Sequence, residues 1–99
     1  MSRYTLKWSE FARVEVRHAI EHYLRQSPTA GARLRDEVKT TLASLREAPN
    51  RWAVWRLPDL RRRLLPRFPY ALVYTIVDPD QILLLAFLHQ HQDPAGRFP

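Results

Sequence analysis

Two apolar runs joined by a short turn, in the second half of the chain, constrain the fold more than any other feature. Residues 70–77 are rich in β-branched and aromatic side chains, and residues 82–88 have no polar position at all. A strand without alternation is typical of a position buried on both faces of a sheet. Residues 78–81, DPDQ, carry Pro at the second position, which favours a type I turn. The runs therefore predict two consecutive strands, the second of them in the dry interior of a sheet.

Two further strands are predicted from alternation. Residues 61–68 place Arg62, Leu64, Pro66 and Phe68 on one face and Arg61, Arg63, Leu65 and Arg67 on the other. Residues 3–8 alternate Tyr4, Leu6 and Trp8 with Arg3, Thr5 and Lys7, as in a half-exposed strand. The predicted strand over residues 61–68 is thus rich in arginine.

Two amphipathic helices are predicted between these strands. Ser9 stands at an N-cap position before residues 10–26, whose apolar side chains recur at helical spacing. Ser27 and Pro28 end this helix and start another, because Pro is favoured at the first helical position and Ser can cap it. The second helix, with its stripe at Leu34, Val38, Leu42 and Leu45, should stop at Pro49-Asn50. The short connection makes the helices antiparallel neighbours.

The order β-α-α-β-β-β predicts an α+β fold, in which the helical hairpin packs on a mainly antiparallel sheet. At 99 residues the chain is expected to form a single domain, residues 1–99. The predicted core joins side chains of the sheet to the faces of both helices: Tyr74, Ile76, Leu84 and Leu88 facing Val16, Ile20, Leu34, Val38 and Leu42.

Composition indicates the cellular compartment in which the protein works. The absence of cysteine excludes a disulfide framework and suits a reducing cytoplasm. The longest apolar run is far shorter than a membrane span, and the first residues lack the apolar core of a secretory signal. The sequence therefore predicts a soluble cytoplasmic protein with no membrane association.

The net charge of +6 is concentrated in one segment. Residues 51–67 hold six arginines against a single acid, Asp59. Arginine suits bidentate contact with carboxylate or phosphate, so an acidic protein and a nucleic acid are both compatible partners. Trp52 and Trp55 in the same segment are candidates for stacking on bases, but closure of the end of the core is the favoured interpretation. The predicted partner-binding residues are Arg51, Arg56, Arg61, Arg62, Arg63 and Arg67.

Histidines supply the other candidate chemistry. His18 and His22 lie in an H-x-x-E-H motif, but no third ligand follows, so two surface histidines and no metal site are expected. His89 and His91 share a face at the end of the last strand and are candidate general bases, with hydrogen bonding at the sheet edge as the alternative. With two glycines in the chain, a nucleotide loop is not expected, nor is any cofactor.

Several motifs follow one another in an order typical of one superfamily. Phe11-Ala12 opens the first helix, Ser27-Pro28 separates the helices, and residues 45–49 close the second. RRRLLPRFPYALVYTI and LAFLHQHQDP then follow, and these two are the most specific. Over nearly all its length the chain resembles the RelE/ParE superfamily of type II toxin–antitoxin toxins. The resemblance implies a helical hairpin packed on an antiparallel sheet.

Departures from the superfamily pattern separate its branches. The mRNA-cleaving branch commonly has arginine after the tyrosine of the central strand, where this chain has Ala71. Its C-terminal arginine and tyrosine would fall near Gln92 and Phe98, which supply neither charge nor hydroxyl. FPYALVY resembles instead the ParE branch, whose members poison DNA gyrase. That branch often carries two arginines where this chain has His91 and Gln92.

The resemblance implies a ParE-like toxin, of the kind associated with plasmid stabilisation, which inhibits DNA gyrase by binding. A cognate acidic antitoxin would neutralise it in a hetero-oligomer. Two alternatives stay open. One is a ribosome-dependent mRNA endonuclease using His89 or His91 as base and Arg61, Arg62 or Arg67 as electrostatic support. The other is a non-toxic remnant that keeps only antitoxin binding.

Overall fold

The computed structural model describes residues 4–56, 58–77 and 79–90, and every structural statement below concerns these residues. In chain order the elements are β1 (Thr5–Trp8), α1 (Glu10–Gln26), α2 (Pro28–Glu47), a 3-10 helix (Pro49–Arg51), β2 (Val54–Arg56), β3 (Leu60–Leu64), β4 (Tyr70–Val77) and β5 (Gln81–His89). Both helices pack on one face of the sheet, here called the helix side, and the other is the open face. The predicted α+β fold is confirmed.

The five strands form one sheet in the order β1-β5-β4-β3-β2. β1 runs parallel to β5, and the other three pairings are antiparallel, so the sheet is mainly antiparallel as predicted. β5 is an interior strand, which explains its unbroken apolar sequence. β2 was not predicted. It has three residues, and its register against β3 shifts between Val54 and Arg56, which erases the period of two that identifies a strand.

The prediction of a strand over residues 61–68 is wrong beyond Leu64. β3 ends there, and residues 66–69 form bends before β4. Pro66 has no N–H to give to a neighbouring strand, so it ends the ladder. The predicted alternation holds up to Leu64: Arg61 and Arg63 pair with helix-side residues of β4, and Arg62 pairs with Val73 on the open face.

Both helices begin and end as the sequence predicts. Ser9 caps α1 by accepting a hydrogen bond from the N–H of Ala12, and Ser27 caps α2 by accepting from Ala30. The helices approach closely at Gly31. A Cβ there would lie 2.4 Å from Leu24 Cγ and 3.0 Å from Leu24 Cα, so only glycine fits without a shift of the neighbouring helix.

A β-bulge in β5 divides the core between the two faces of the sheet. Val73 pairs with Ala86 but Tyr74 pairs with Leu84, so Leu85 is the extra residue. Before the bulge Leu84 lies on the helix side, and after it Phe87 does. The prediction that Leu88 faces the helices is therefore wrong, since it packs on the open face with Val73, Ala86 and Trp55.

The other core predictions hold in part. Tyr74, Leu84, Leu34 and Val38 are buried on the helix side. Partly buried side chains complete that cluster at the positions Val16, Ile20, Leu42 and Ile76.

Candidate binding surface

Residues 51–63, here called the arginine hairpin, hold a local excess of positive charge, with five arginines against one acid, Asp59. Its strands β2 and β3 carry four arginines, and no strand from β2 to β5 contains Asp or Glu. Because successive residues of a strand point to opposite faces, the hairpin presents arginines on both sides of the sheet. Each side also holds one tryptophan, and the two sets are built differently.

The helix-side set surrounds Trp52. The guanidinium of Arg63 lies 4.7 Å from the centre of the Trp52 ring, and that of Arg51 lies 5.6 Å away. Arg61 donates from Nη1 to the Trp52 carbonyl at 2.6 Å. Its Nε lies 3.4 Å from Asp59 Oδ1, close enough for attraction, although the N–H is not aimed for a hydrogen bond. Arg61 is thus held by internal contacts, and its side chain is 17% exposed.

Tyr74 lies beneath this set and takes part in its electrostatics. Its ring is 0% exposed, and its hydroxyl donates to the Pro49 carbonyl at 2.5 Å. Burial raises the pKa of Tyr74 to about 12, against the opposing influence of the positive Arg61 and Arg63, while Asp59 adds to the increase. The hydroxyl therefore stays protonated at neutral pH and fixes the start of the hairpin to the sheet.

The open-face set surrounds Trp55. The guanidinium groups of Arg56 and Arg62 lie 4.6 and 5.0 Å from the centre of its ring. Trp55 itself packs on the small open-face cluster of Val73, Ala86 and Leu88. Cation–π contact of this kind contributes about 0.5–2 kcal/mol and restricts the arginine side chain. The indole thus holds two positive charges in place on the open face.

Arg67 belongs to a different region. The carboxylate of Glu37 in α2 accepts hydrogen bonds from the backbone N–H groups of Arg67 and Phe68, at 3.0 and 3.2 Å. These contacts hold the β3–β4 loop beside a groove of about 710 Å³ on the helix side. The charged residues that line the groove are three arginines and two acids: Arg33, Arg63, Arg67, Asp36 and Glu37.

His89 lies in an aromatic cluster away from the arginine hairpin. It is on the helix side of β5, with its ring centre 5.5 Å from that of Tyr70, which stacks on Phe87 at 4.8 Å. Burial, followed by the neighbouring Tyr23, raises the pKa of Tyr70. The cluster continues to Tyr23, whose ring centre lies 5.3 Å from that of Phe68.

Of the candidate catalytic residues, His89 is far from Arg61 and Arg62, whereas Arg67 lies in the loop at the His89 end of the sheet, where the Gln90 N–H donates to the Pro69 carbonyl at 2.8 Å. His89 pairs with Tyr70, whereas Arg61 pairs with Tyr74, four positions further along β4. The separation is about 14 Å along the sheet, with β4 between them, and Arg62 points to the other face. A base and a phosphate-stabilising group need to share one reacting centre, so His89 with Arg61 or Arg62 does not form a nuclease site. His91 lies outside the described residues.

The zinc-like motif shows no ligand set in the described part of the chain. His18 and His22 are exposed on α1, and His22 Nε2 lies 3.2 Å from Gln26 Nε2. Across the described ranges, no three His, Cys, Asp or Glu residues converge as ligands for a metal ion. Within those ranges, too, neither helix combines the length and the apolar character needed to cross a bilayer.

Sequence reasoning located the arginines but not their arrangement. Arg33 and Glu37 were missed because they lie in the predicted helix, where charged side chains usually mark a solvated face. The pairing of each tryptophan with two arginines was also missed. The RW and WR dipeptides and the alternation of residues 61–63 were its signal, but the register of an unpredicted β2 was needed to join them.

The comparison with protein families decides the identity of the fold. The model of the family described as "ParE toxin of type II toxin-antitoxin system, parDE" matches residues 6–94. The chain belongs to the ParE toxin family. This match confirms the assignment to the ParE branch that FPYALVY predicts. No curated protein matches the chain significantly by sequence.

A solved structure shows the same ParE fold. A chain of the "Chromosomal ParDE TA system from P. aeruginosa" superposes with a TM-score of 0.73 and is 20% identical in sequence. The match covers 87% of this chain and 95% of that one. At this identity the likeness establishes the architecture, a helical hairpin on a mainly antiparallel sheet.

Proposed function

We propose that this ParE-family toxin acts by binding an essential target, DNA gyrase, and not by cutting RNA. The observation that carries the proposal is the arginine hairpin: β2 and β3 carry four arginines, no strand from β2 to β5 contains Asp or Glu, and Asp59 in the intervening turn approaches Arg61. Such a surface favours charge-assisted contact with an anionic partner. The separation of His89 from Arg61 and Arg62 removes two of the three arginines that the nuclease alternative could use, while Arg67 lies at the His89 end of the sheet and leaves that alternative to the assays below. Gyrase as the target rests on the likeness to the ParE branch.

A cognate acidic antitoxin neutralises the toxin under this proposal. The groove beside the β3–β4 loop combines three arginines, Arg33, Arg63 and Arg67, which outnumber its carboxylates Asp36 and Glu37, with apolar contact from Pro66 and Phe68. Acidic segments that fold on binding need both kinds of contact. The groove is therefore the proposed antitoxin site, and the two proteins form a hetero-oligomer in the cytoplasm. The other proposed partner-binding arginines, Arg51, Arg56, Arg61 and Arg62, lie on the hairpin.

Two assays with purified toxin test binding against catalysis. Supercoiling by gyrase should be inhibited, and the inhibition should be reversed by the product of the adjacent gene, while primer extension should show intact message on translating ribosomes. Replacing Arg61 and Arg62 together with Gln should weaken inhibition by loss of charge-assisted contacts. Arg13→Gln with Arg17→Gln removes the same charge from the exposed face of α1 and is the matched control.

Other outcomes of these assays would contradict the proposal. Codon-positioned cleavage of the message that disappears with His89→Gln or His91→Gln would establish the endonuclease alternative. Intact supercoiling and intact message, together with tight antitoxin binding, would identify a non-toxic remnant. Equal loss of inhibition in the α1 control would show that net charge, and not the hairpin, is responsible.

A further inference from the structure

The two sides of the arginine hairpin differ in how many of their arginines are already bound to other groups of the protein. On the helix side, Arg61 donates to the Trp52 carbonyl and forms a salt bridge with Asp59. Arg63 lies over the Trp52 ring at the edge of the groove. On the open face, Arg56 and Arg62 have no carboxylate partner among the described residues. Both are half-buried, so part of each side chain reaches solvent. The open face therefore presents two positive charges without a salt bridge to any described residue, and the Asp59 carboxylate at its edge accepts from the Thr75 hydroxyl at 3.4 Å.

Trp55 holds these charges in a fixed arrangement. Both guanidinium groups lie within 5.0 Å of the same ring centre, and the ring is anchored on Val73, Ala86 and Leu88. Arginine loses considerable side-chain entropy when it is ordered by a ligand. Here that ordering is already achieved in the free protein, so an anion meets a preorganised pair of donors.

The surroundings of the pair favour phosphate over a peptide carboxylate. The apolar side chains on which Trp55 packs are covered, with Val73 and Ala86 at 0% and Leu88 at 7% exposure. The exposed apolar side chains of this face lie at strand ends, Leu64 of β3 at 41% and Val77 of β4 at 40%. A peptide that folds on binding depends on apolar anchors, which the covered side chains beside Trp55 do not offer. Binding to a nucleic acid backbone depends mainly on charge and needs no such anchors.

We propose that Arg56 and Arg62, positioned by Trp55 on the open face of the sheet, bind the phosphate backbone of DNA. Because both guanidinium groups already lie over the indole, the contact is made to phosphates and not by stacking of bases, so it is independent of sequence. The choice of DNA over RNA rests on the proposed function, since gyrase works on bound DNA. The toxin would then contact both the enzyme and its substrate.

Fluorescence anisotropy with a labelled duplex of arbitrary sequence, in the absence of gyrase, tests this directly. The toxin should bind, and the affinity should fall as salt rises from about 50 to 200 mM. Arg56→Gln with Arg62→Gln should weaken binding by about tenfold or more and reduce the slope of log affinity against log salt by about 2, one for each lost phosphate contact. Arg13→Gln with Arg17→Gln should leave both quantities close to those of the wild type.

Three results would overturn the proposal: no binding of DNA at low salt, an unchanged slope in the hairpin variant, or an equal loss in the α1 control. Competition by polyglutamate as effective as that by DNA at equal charge would assign the face to an acidic protein instead. Circular dichroism checks folding. If the double variant does not fold, each single variant should still reduce the slope by about 1. Inhibition of gyrase without DNA binding would remove this inference and leave the proposed function standing.

Discussion

A single tyrosine joins three parts of the molecule. Tyr74 is in the central strand, its hydroxyl donates to Pro49 at the end of the helical hairpin, and its neighbours are Arg61 and Arg63 of β3. Pro49 is itself fully buried, so its carbonyl has no access to water in place of this donor. Sequence patterns predicted that Tyr74 is buried, but the partner of its hydroxyl depends on how the chain turns after α2.

Tyr74→Phe should destabilise the protein at neutral pH. The ring is kept but the Pro49 carbonyl loses its donor, which costs about 1–3 kcal/mol in the free energy of unfolding. Urea denaturation at pH 7 measures the difference. An unchanged midpoint would show that the hydrogen bond contributes nothing.

The same residue should govern stability at high pH. The pKa of Tyr74 is raised to about 12 in the folded protein, so between about pH 10 and 12 the unfolded chain loses the proton first. Stability is therefore kept below pH 10 and falls as pH rises through this window. Thermal unfolding across the window should show a smaller fall in Tyr74→Phe than in the wild type, and equal falls would contradict the assignment.

At the scale of elements, α1 supplies the polar groups that the bulge of β5 requires. A bulge leaves backbone groups without ladder partners. Ser9 Oγ donates to the Leu85 carbonyl at 3.1 Å while it also caps α1, and a Glu15 carboxylate oxygen accepts from the Phe87 N–H at 3.0 Å. The start of the helix and the irregular strand therefore stabilise each other.

Ser9→Ala should cost more than an ordinary helix cap. The change removes both the acceptor for the Ala12 N–H and the hydroxyl that donates to the Leu85 carbonyl, so a loss of about 2–3 kcal/mol in unfolding free energy is expected. Ser27→Ala, which removes only the cap of α2, is the matched control and should cost about 1 kcal/mol. Equal losses in chemical denaturation would mean that the bulge contact is unimportant.

Elements with strong periodicity were predictable, and those that depend on pairing were not. The caps at Ser9 and Ser27 are local chemistry, and both helices follow from it. The bulge at Leu85 is invisible within an unbroken apolar run, so the side to which Leu88 points could not be derived. β2 could not be recognised either, because three residues with shifted register carry no period.

At the scale of the whole molecule, the core on the helix side joins the sheet to both helices. Leu84→Ala should lower the free energy of unfolding by about 2–5 kcal/mol, because Leu84 is fully buried there. Leu83→Ala, one position away and only half-buried, should cost clearly less. Urea denaturation compares the two variants. A loss below about 1 kcal/mol for Leu84→Ala would show that the site collapses around the missing atoms.

The positive charge of the candidate surface could be predicted from the sequence, but the arrangement of its arginines could not. Counting residues 51–67 gives the six arginines, yet their division into an occupied helix side and an available open face follows from the β2–β3–β4 register. The distance between His89 and Arg61 likewise depends on which residues of β4 they flank. Long-range pairing is a property of the assembled sheet, and no local pattern encodes it.

The parallel pairing of β1 with β5 also sets an order for biosynthesis. Of the five strands, β1 is synthesised before the others and its partner β5 after them. Ser9, next to β1, bonds to a residue 76 positions later. Until β5 is made, α1 has no partner strand beneath it and β4 lacks one of its two neighbours. Contacts of such long range form late in folding. A nascent chain of this protein therefore lacks Ala86 and Leu88, on which Trp55 packs, until β5 has been made.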